Sequence, residues 1–568
     1  MGDAARASRE RRPGPAGSNG PGPDHEDALL TETVAEVLAR QARVNGGRQA
    51  VLWEENGELH WLTYAQLEAR ASAIACVLGD LAVGERVAVW GRNSVEWVLL
   101  EYACAIRGLV LMPLNTAWTD GEVTAAIELA APAVLFAGQD NRGSHLRDRA
   151  LQVTKGDIPV RDLPGRLLSV TGVASPAASV GPDAPFLIQF TSGTTGRAKG
   201  AVLSHRAVLN GAYLRERRDP ASGGVCLNSV PYHHIGGSLY VILGALTSGG
   251  AFIVVDRFDP DQTVRLLPLA GVTHLGGVPI MIERILDRPG LPEAARTVKT
   301  VALGGADISP QLIRRIRDEI GAVVHTTYGQ SECPLITNSD PTDDPEVLAT
   351  TAGRPVEATE VRIVDPATGQ DVAVGETGEI AVRSPLVMQG YFRMPERTAE
   401  VLPGDGFLRT GDLGSLDADG NIAIRGRIRE VIIRGGENIY PAEVEAALSE
   451  HPEVAACAVV GVADPSWGEL VGASVVSRGN PVQAAELEAF LSGRIAHFKI
   501  PRVWRFAAAL PMTASGKIRR TQVKEEMNVP VDSPDSGHAP VHSGRTDGRT
   551  DGRTEGRTDG HNAERTAR

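Results

Sequence analysis

Residues 190–200 carry groups that could bind a polyphosphate. The segment follows an apolar run and contains three glycines, four hydroxyl side chains and the two cations Arg197 and Lys199. Glycines let backbone N–H groups turn towards an anion, while the hydroxyls and cations add donors and charge. A Walker loop is excluded because no Gly-Lys-Ser/Thr follows at the required spacing. A surface turn rich in serine, threonine and glycine is the alternative for this segment taken alone.

The same segment resembles the signature loop of the superfamily of acyl- and aryl-CoA synthetases, peptide-synthetase adenylation domains and luciferases. The usual loop has proline where this chain has Ala198. Further elements follow in family order over roughly residues 30–525. The resemblance implies that ATP and Mg²⁺ activate a carboxylic acid as acyl-AMP, after which a thiol, above all that of coenzyme A, takes the acyl group. The predicted nucleotide-binding residues of the loop are Thr191, Ser192, Gly193, Thr194, Thr195 and Gly196, and Lys199 is a catalytic candidate.

Residues 328–332, Tyr-Gly-Gln-Ser-Glu, resemble the family's Tyr-Gly-x-Thr-Glu element. The resemblance implies that the ring of Tyr328 packs on adenine, with Gly329 and Ser331 beside it, and that Glu332 is a catalytic residue and the magnesium ligand. A hard carboxylate oxygen suits Mg²⁺. The family's adenine-side turn corresponds to Gly304, Gly305 and Ala306, of which Gly304 is also assigned to the acyl side.

Residues 409–414 resemble the element whose aspartate binds both ribose hydroxyls, which assigns that role to Asp412. An ionised carboxylate is a natural acceptor for a diol. By the same resemblance Arg427 contacts the ribose or the phosphates, and Arg429 occupies the interdomain hinge. Gly435 and Gly436 would let the backbone approach the thiol-bearing arm. Residues 435–441 look most like those of acyl-CoA synthetases, which favours a fatty or other acyl acid over an aryl acid.

Residues 511–520 are similar to the segment that carries the family's catalytic lysine, here Lys517. A point cation on the attacking and bridging oxygens would stabilise the charge that grows as pyrophosphate leaves. Residues 231–237 resemble the stretch that lines the acyl pocket, which places His234 at the family's histidine position and assigns Gly236 to the substrate channel. We assign His234 a positioning or gating role, because the substrate carboxylate is already ionised at neutral pH.

Apolar strand-like runs alternate with helix-like stretches such as residues 94–107, which predicts a layered α/β fold. We expect a large N-terminal AMP-binding domain of several subdomains at 29–426 and a small mobile α/β lid domain at 427–525, with the active site at their interface. Residues 1–28 are predicted to be a disordered arm. Residues 526–568 end in Thr-Asp/Glu-Gly-Arg repeats and are predicted to be a disordered tail, because they hold too few apolar residues for a core.

The 568 residues carry a formal net charge of −13, which argues against a nucleic-acid partner. The five scattered cysteines form no Cys-x-x-Cys pair, which favours a reducing compartment and predicts a cytoplasmic enzyme without a structural zinc site. The most apolar early window, residues 95–112, contains three charged side chains and predicts a buried helix and strand instead of a membrane span. No pattern in the sequence predicts an oligomeric state.

Three functional readings follow from these residues. The first is a stand-alone acid–CoA ligase. The second is an adenylating enzyme that loads a separate carrier protein, because no Leu-Gly-Gly-x-Ser-like carrier site follows Lys517. The third is a catalytically silent nucleotide-binding protein, which the joint presence of Lys517, Glu332 and Asp412 disfavours.

Overall fold

The computed structural model describes residues 29–163, 177–191, 198–305, 308–513 and 517–528. The predicted N-terminal arm and the chain beyond residue 528 lie outside these ranges. So do the predicted nucleotide-binding residues Ser192, Gly193, Thr194, Thr195, Gly196 and Ala306. The chain up to Asn528 clusters as one unit.

The first large sheet contains the two strands that flank the predicted phosphate-binding segment. Its seven strands are, in spatial order, Gly390–Tyr391, Lys199–Ser204, Pro185–Thr191, Val110–Leu114, Arg86–Trp90, Val134–Ala137 and Val160–Asp162. The last five are parallel neighbours, whereas Pro185–Thr191 and Lys199–Ser204 are antiparallel, with Thr191 paired to Lys199. The two ends of the predicted anion loop are therefore fixed by a strand ladder.

The second large sheet has nine strands and a parallel centre. In spatial order they are Arg354–Pro355, Cys333–Asn338, Val323–Gln330, Thr300–Gly304, His274–Gly277, Val225–Asn228, Ala251–Val254, Gln49–Glu55 and Glu58–Thr63. The neighbours His274–Gly277, Thr300–Gly304 and Val323–Gln330 run parallel, so their carboxyl ends meet at one edge of the sheet. Ligands of open α/β sheets bind outside such an edge, and Gly304 and Tyr328 lie there.

Helices cover these sheets and bury large aromatic side chains between the layers. The helices of eight or more residues in the described part of the chain are Val34–Val44, Tyr64–Val77, Val95–Arg107, Asp120–Ala130, Arg147–Thr154, His205–Arg217, Pro260–Leu269, Pro279–Leu286, Pro441–Ser449, Ala484–Leu491 and Arg520–Asn528. Trp97, Tyr102 and Phe186 are almost fully buried in one core. The predicted helix and strand within residues 95–112 are confirmed as Val95–Arg107 and Val110–Leu114. Among the described helices, none is both long and apolar enough to cross a bilayer.

Two smaller sheets complete the described chain. Glu360–Val364, Gly378–Arg383, Leu408–Leu416 and Ile422–Arg427 form an antiparallel four-stranded sheet, and Ile432–Arg434, Glu437–Ile439, Val454–Asp464, Gly468–Ser477 and Val503–Phe506 form the last sheet. The α/β fold class predicted from the sequence is confirmed.

Two element ends differ from those that the sequence predicts. Residues 484–495 form a helix-like stretch in the sequence, but the helix spans only Ala484–Leu491, because Gly493 adopts a φ of 83°. The final helix, Arg520–Asn528, crosses the predicted start of the tail, since Val523 and Met527 pack into a small core.

Candidate active site

Lys517 reaches from the C-terminal part of the chain to the carboxyl edge of the nine-stranded sheet. Its Cε lies 3.6 Å from the position that a Cβ atom would take at Gly305, so the glycine leaves room for the lysine stem. A turn holds the lysine in place, because Lys517 N–H donates to Thr513 Oγ1 at 2.9 Å and Thr513 N–H donates to the Lys517 carbonyl at 2.7 Å. Burial lowers the pKa of Lys517, and Arg427 lowers it further, while Asp412 opposes both effects.

Asp412 is the centre of a charged cluster beside that lysine. Its Oδ2 accepts a hydrogen bond from the Tyr328 hydroxyl at 2.8 Å, and its Oδ1 lies 3.1 Å from Nε of Arg427. The Asp412 side chain is only 8% exposed, against 42% for Arg427. The structure thus brings together Tyr328, Asp412, Arg427 and Lys517, which the sequence analysis assigns to adenine, ribose, phosphate and catalysis.

The predicted magnesium ligand lies beside a tyrosine that the sequence analysis missed. The Tyr391 hydroxyl donates to Glu332 Oε1 at 2.7 Å, and the ammonium of Lys199 lies 4.9 Å from the centre of the Tyr391 ring. The short strand Gly390–Tyr391 pairs with Lys199–Ser204, which fixes the ring between the two charged groups. Tyr391 stands 59 positions from Glu332, so only the sheet pairing reveals the contact.

The described side chains do not form a closed cage for a metal ion. Among the described residues, no group of three or more His, Cys, Asp or Glu side chains could hold a metal ion. Mg²⁺ usually keeps several waters and binds one or two carboxylates together with substrate phosphates. A single carboxylate, Glu332, therefore fits a magnesium that arrives with a nucleotide.

The predicted acyl side lies next to Lys517. Burial, together with the nearby Lys517 charge, lowers the pKa of His234 to about 3, so the imidazole is neutral at physiological pH. Its Nδ1 accepts the Gly236 N–H at 3.1 Å, which leaves the proton on Nε2. A neutral, internally bonded histidine suits the positioning role that the sequence analysis assigns to it. Thr327 Oγ1 lies 3.0 Å from where a Cβ would sit at Gly304.

The remaining predicted residues among those described take no part in the contacts given above. Gly329 is exposed and lacks space for a side chain, because a Cβ would lie 2.2 Å from the Pro334 carbonyl oxygen. Ser331 is half-buried. Arg429 is exposed in a single helical turn between the four-stranded sheet and Ile432–Arg434. Gly435 and Gly436 form a hairpin turn, where a Cβ on Gly435 would lie 2.8 Å from the Trp467 ring.

Comparison with known families gives two matches. The model described as "AMP-binding enzyme" matches residues 38–392, and the model described as "AMP-binding enzyme C-terminal domain" matches residues 443–517. The second match ends at the lysine that reaches the sheet edge.

Comparison with individual proteins extends the match to almost the whole length of the relatives. An indoleacetate–CoA ligase of Aromatoleum aromaticum is 35% identical over 87% of this chain and 98% of its own. A mitochondrial medium-chain acyl-CoA ligase of Rattus norvegicus is 32% identical over 89% of each chain. The crystal structure of ATP-bound MatB from Rhodopseudomonas palustris superposes with a TM-score of 0.80 at 31% identity, covering 88% of this chain and 99% of that one.

Proposed function

Because the chain belongs to the AMP-binding enzyme family, we propose that it is an ATP-dependent carboxylic acid–CoA ligase. In the first half-reaction the substrate carboxylate attacks the α-phosphate of ATP, which gives acyl-AMP and pyrophosphate. In the second half-reaction a thiol attacks the acyl carbon and AMP leaves, which gives the thioester. Relatives across the matched length act as CoA ligases, which supports free coenzyme A as the acceptor.

The position of Lys517 carries this proposal. The lysine lies in the C-terminal segment, yet its side chain passes Gly305 and interacts with Asp412 and Arg427 of the preceding part of the chain. Its cation is thereby held where the predicted ribose and phosphate groups converge, as the first half-reaction needs. In the second half-reaction we propose that a rotation near Arg429 withdraws Lys517 and brings Gly435 and Gly436 to the thiol path.

We propose that Glu332 holds Mg²⁺ together with the ATP phosphates and that Lys199 contacts the same phosphates. When bound, the ion would neutralise phosphate charge as pyrophosphate leaves. Tyr391 supports both residues, because it donates to the Glu332 carboxylate and lies beneath the Lys199 ammonium.

Tyr391→Phe tests this arrangement at magnesium. Loss of the hydroxyl removes the hydrogen bond that holds the Glu332 carboxylate in position. We therefore expect the Mg²⁺ concentration for half-maximal ATP binding to rise about tenfold, as for a lost hydrogen bond to a charged group. Calorimetric titration of ATP at several Mg²⁺ concentrations measures it. Tyr213→Phe is the matched control, since that ring packs beneath Arg217 on the helix His205–Arg217. An unchanged Mg²⁺ dependence in Tyr391→Phe would refute the supporting role.

We propose a fatty or other acyl acid of moderate size as the substrate and a cytoplasmic location. The five cysteines are widely scattered and form no Cys-x-x-Cys pair, as is typical of a protein from a reducing compartment. The names of the relatives include both a ring-bearing acid and a medium-chain acyl group, so both classes belong in a substrate panel.

The decisive assay combines MgATP, coenzyme A and a panel of fatty and ring-bearing acids, with thioester and AMP measured in parallel. We expect thioester in equal amount to AMP for at least one acid. AMP formation without CoA thioester would favour loading of a carrier protein. Absence of ATP–pyrophosphate exchange with every acid would favour the silent nucleotide-binding protein.

A further inference from the structure

A small cavity is lined in part by Tyr240. Its chemically distinctive lining residues are Glu216, Cys226, Tyr240 and His274, and the rest of its wall is formed mainly by glycine, alanine and serine. Tyr240 is the lining residue that also faces the predicted acyl side. Its ring Cδ2 lies 3.9 Å from the position that a Cβ would take at Gly236.

The phenol of Tyr240 crosses the space between the two predicted acyl-side glycines. At one end the ring adjoins Gly236. At the other end its hydroxyl donates to the Pro334 carbonyl at 2.5 Å and interacts with the side chain of Thr327. Thr327 is the residue whose Oγ1 lies against Gly304. Tyr240 therefore separates the space beside Gly236 and Gly304 from the cavity behind it.

Residues on both sides of the Tyr240 ring are strongly desolvated but keep some accessible surface. Desolvation raises the pKa of Tyr240, raises the pKa of Cys226 to about 12 and lowers the pKa of His234 to about 3. All three residues nevertheless keep an intermediate accessible surface. Deep burial with residual accessibility is expected where side chains line a pocket.

A buried network of charged and polar side chains lies beside the Tyr240 ring. The Arg215 guanidinium lies 5.5 Å from the ring centre, donates to Glu216 Oε1 at 2.5 Å and lies 2.6 Å from His274 Nε2. His274 Nδ1 in turn lies 2.6 Å from Asp219 Oδ2. Opening a paired, buried charge network is costly. The network therefore resists an apolar chain that would push past the ring.

The backbone around Tyr240 is also anchored by a buried hydrogen bond. Ser238–Leu243 is a π-helix, a form often found at functional sites. Its first residue, Ser238, donates its hydroxyl to Oε1 of the fully buried Glu101 at 2.7 Å. The π-helical turn and this anchor set the direction in which the Tyr240 side chain leaves the helix.

We propose that Tyr240 is the end wall of the acyl channel and limits the enzyme to compact acids, namely medium-chain or single-ring carboxylic acids. The inference rests on the proposed function. When the ring is removed, the cavity lined by Glu216, Cys226 and His274 joins the channel as a polar extension. Tyr240 is thus a specificity-determining residue that lies apart from the groups acting on ATP.

The test measures kcat/KM for a series of straight-chain acids of increasing length with wild type, Tyr240→Ala and Tyr240→Phe. We expect wild type to show a sharp upper limit of length. For the first acid beyond that limit, kcat/KM should rise about 10- to 100-fold in Tyr240→Ala, in keeping with the discrimination available per methylene. Tyr240→Phe should keep the wild-type limit, because the ring remains.

A second series of acids tests whether the space that opens in Tyr240→Ala is this cavity. In Tyr240→Ala, the ω-hydroxy derivative of a long acid should gain more than the unsubstituted acid of equal length, because the Glu216 carboxylate can accept a further hydrogen bond there. Tyr213→Ala is the control and should keep the wild-type limit. If Tyr240→Ala unfolds, Tyr240→Leu serves in its place, with thermal unfolding measured for every variant.

The outcomes distinguish failure of the end-wall assignment from failure of the ligase function. An active wild type with the same length limit in Tyr240→Ala or Tyr240→Leu overturns the end-wall assignment and leaves the ligase intact. A wild type that forms thioester from none of the acids overturns the proposed ligase function itself.

Discussion

Lys517→Ala is expected to lower the rate of acyl-AMP formation about 10³-fold, because one preorganised donor at a developing charge contributes on that order. Thioester formation from supplied acyl-AMP should stay near the wild-type rate, since pyrophosphate has already left. ATP–pyrophosphate exchange measures the first half-reaction, and CoA consumption with synthetic acyl-AMP measures the second. Equal losses in both half-reactions would show that Lys517 has a different role.

A control lysine and a stability measurement distinguish a loss of catalysis from a loss of folding. Lys524 lies on the final helix and pairs with Glu469 at 2.8 Å in an exposed position, so Lys524→Ala should leave both half-reactions unchanged. Burial lowers the pKa of Lys517, which means that the folded state disfavours its charge. Lys517→Ala should therefore unfold at a temperature no lower than wild type.

Asp412→Asn is expected to lower kcat/KM for ATP about 10²-fold. The carboxylate is the predicted acceptor for both ribose hydroxyls, and hydrogen bonds to a charged group contribute about 1.5–3 kcal/mol each. The amide keeps the size of the side chain but removes the charge that faces Arg427. Steady-state kinetics with varied ATP measures the loss.

The same substitution has a pH signature. Asp412 raises the pKa of Lys517 against the effects of burial and of Arg427. In the proposed mechanism the protonated lysine is the active form, so activity should be lost as pH rises through this pKa. Removing the Asp412 charge lowers the pKa, and the alkaline limb of the adenylation rate should move to lower pH. An alkaline limb at the wild-type position would contradict this coupling.

Asp405→Asn is the control for Asp412. Asp405 stands seven positions before Asp412, and its carboxylate lies 2.8 Å from Arg409 in an exposed pair. Solvent weakens the interaction of such a pair. We expect kcat/KM for ATP within about twofold of wild type, as for a surface substitution. A loss as large as that of Asp412→Asn would point to a general disturbance of this sheet.

The local order of the chain determined most of the fold class and the candidate residues. Strand Arg86–Trp90 and helix Val95–Arg107 follow from apolar runs and helical periodicity, which are properties of neighbouring residues. Lys517 and Asp412 were found because each stands in a short segment whose residue types and spacing match a known family. Such segments can be recognised from the sequence without knowledge of their tertiary contacts.

Only the tertiary structure decided which distant groups share an environment. The contact of Tyr391 with Glu332, the separation of two spaces by Tyr240 and the coupling of Asp412 to Lys517 each join residues far apart in the chain. Strand pairing and the meeting of parallel strand ends create these contacts, and no local pattern encodes them. The sequence therefore determined which groups are available for chemistry, whereas the packing of sheets and helices decided their neighbours, their pKa shifts and the end of the acyl channel.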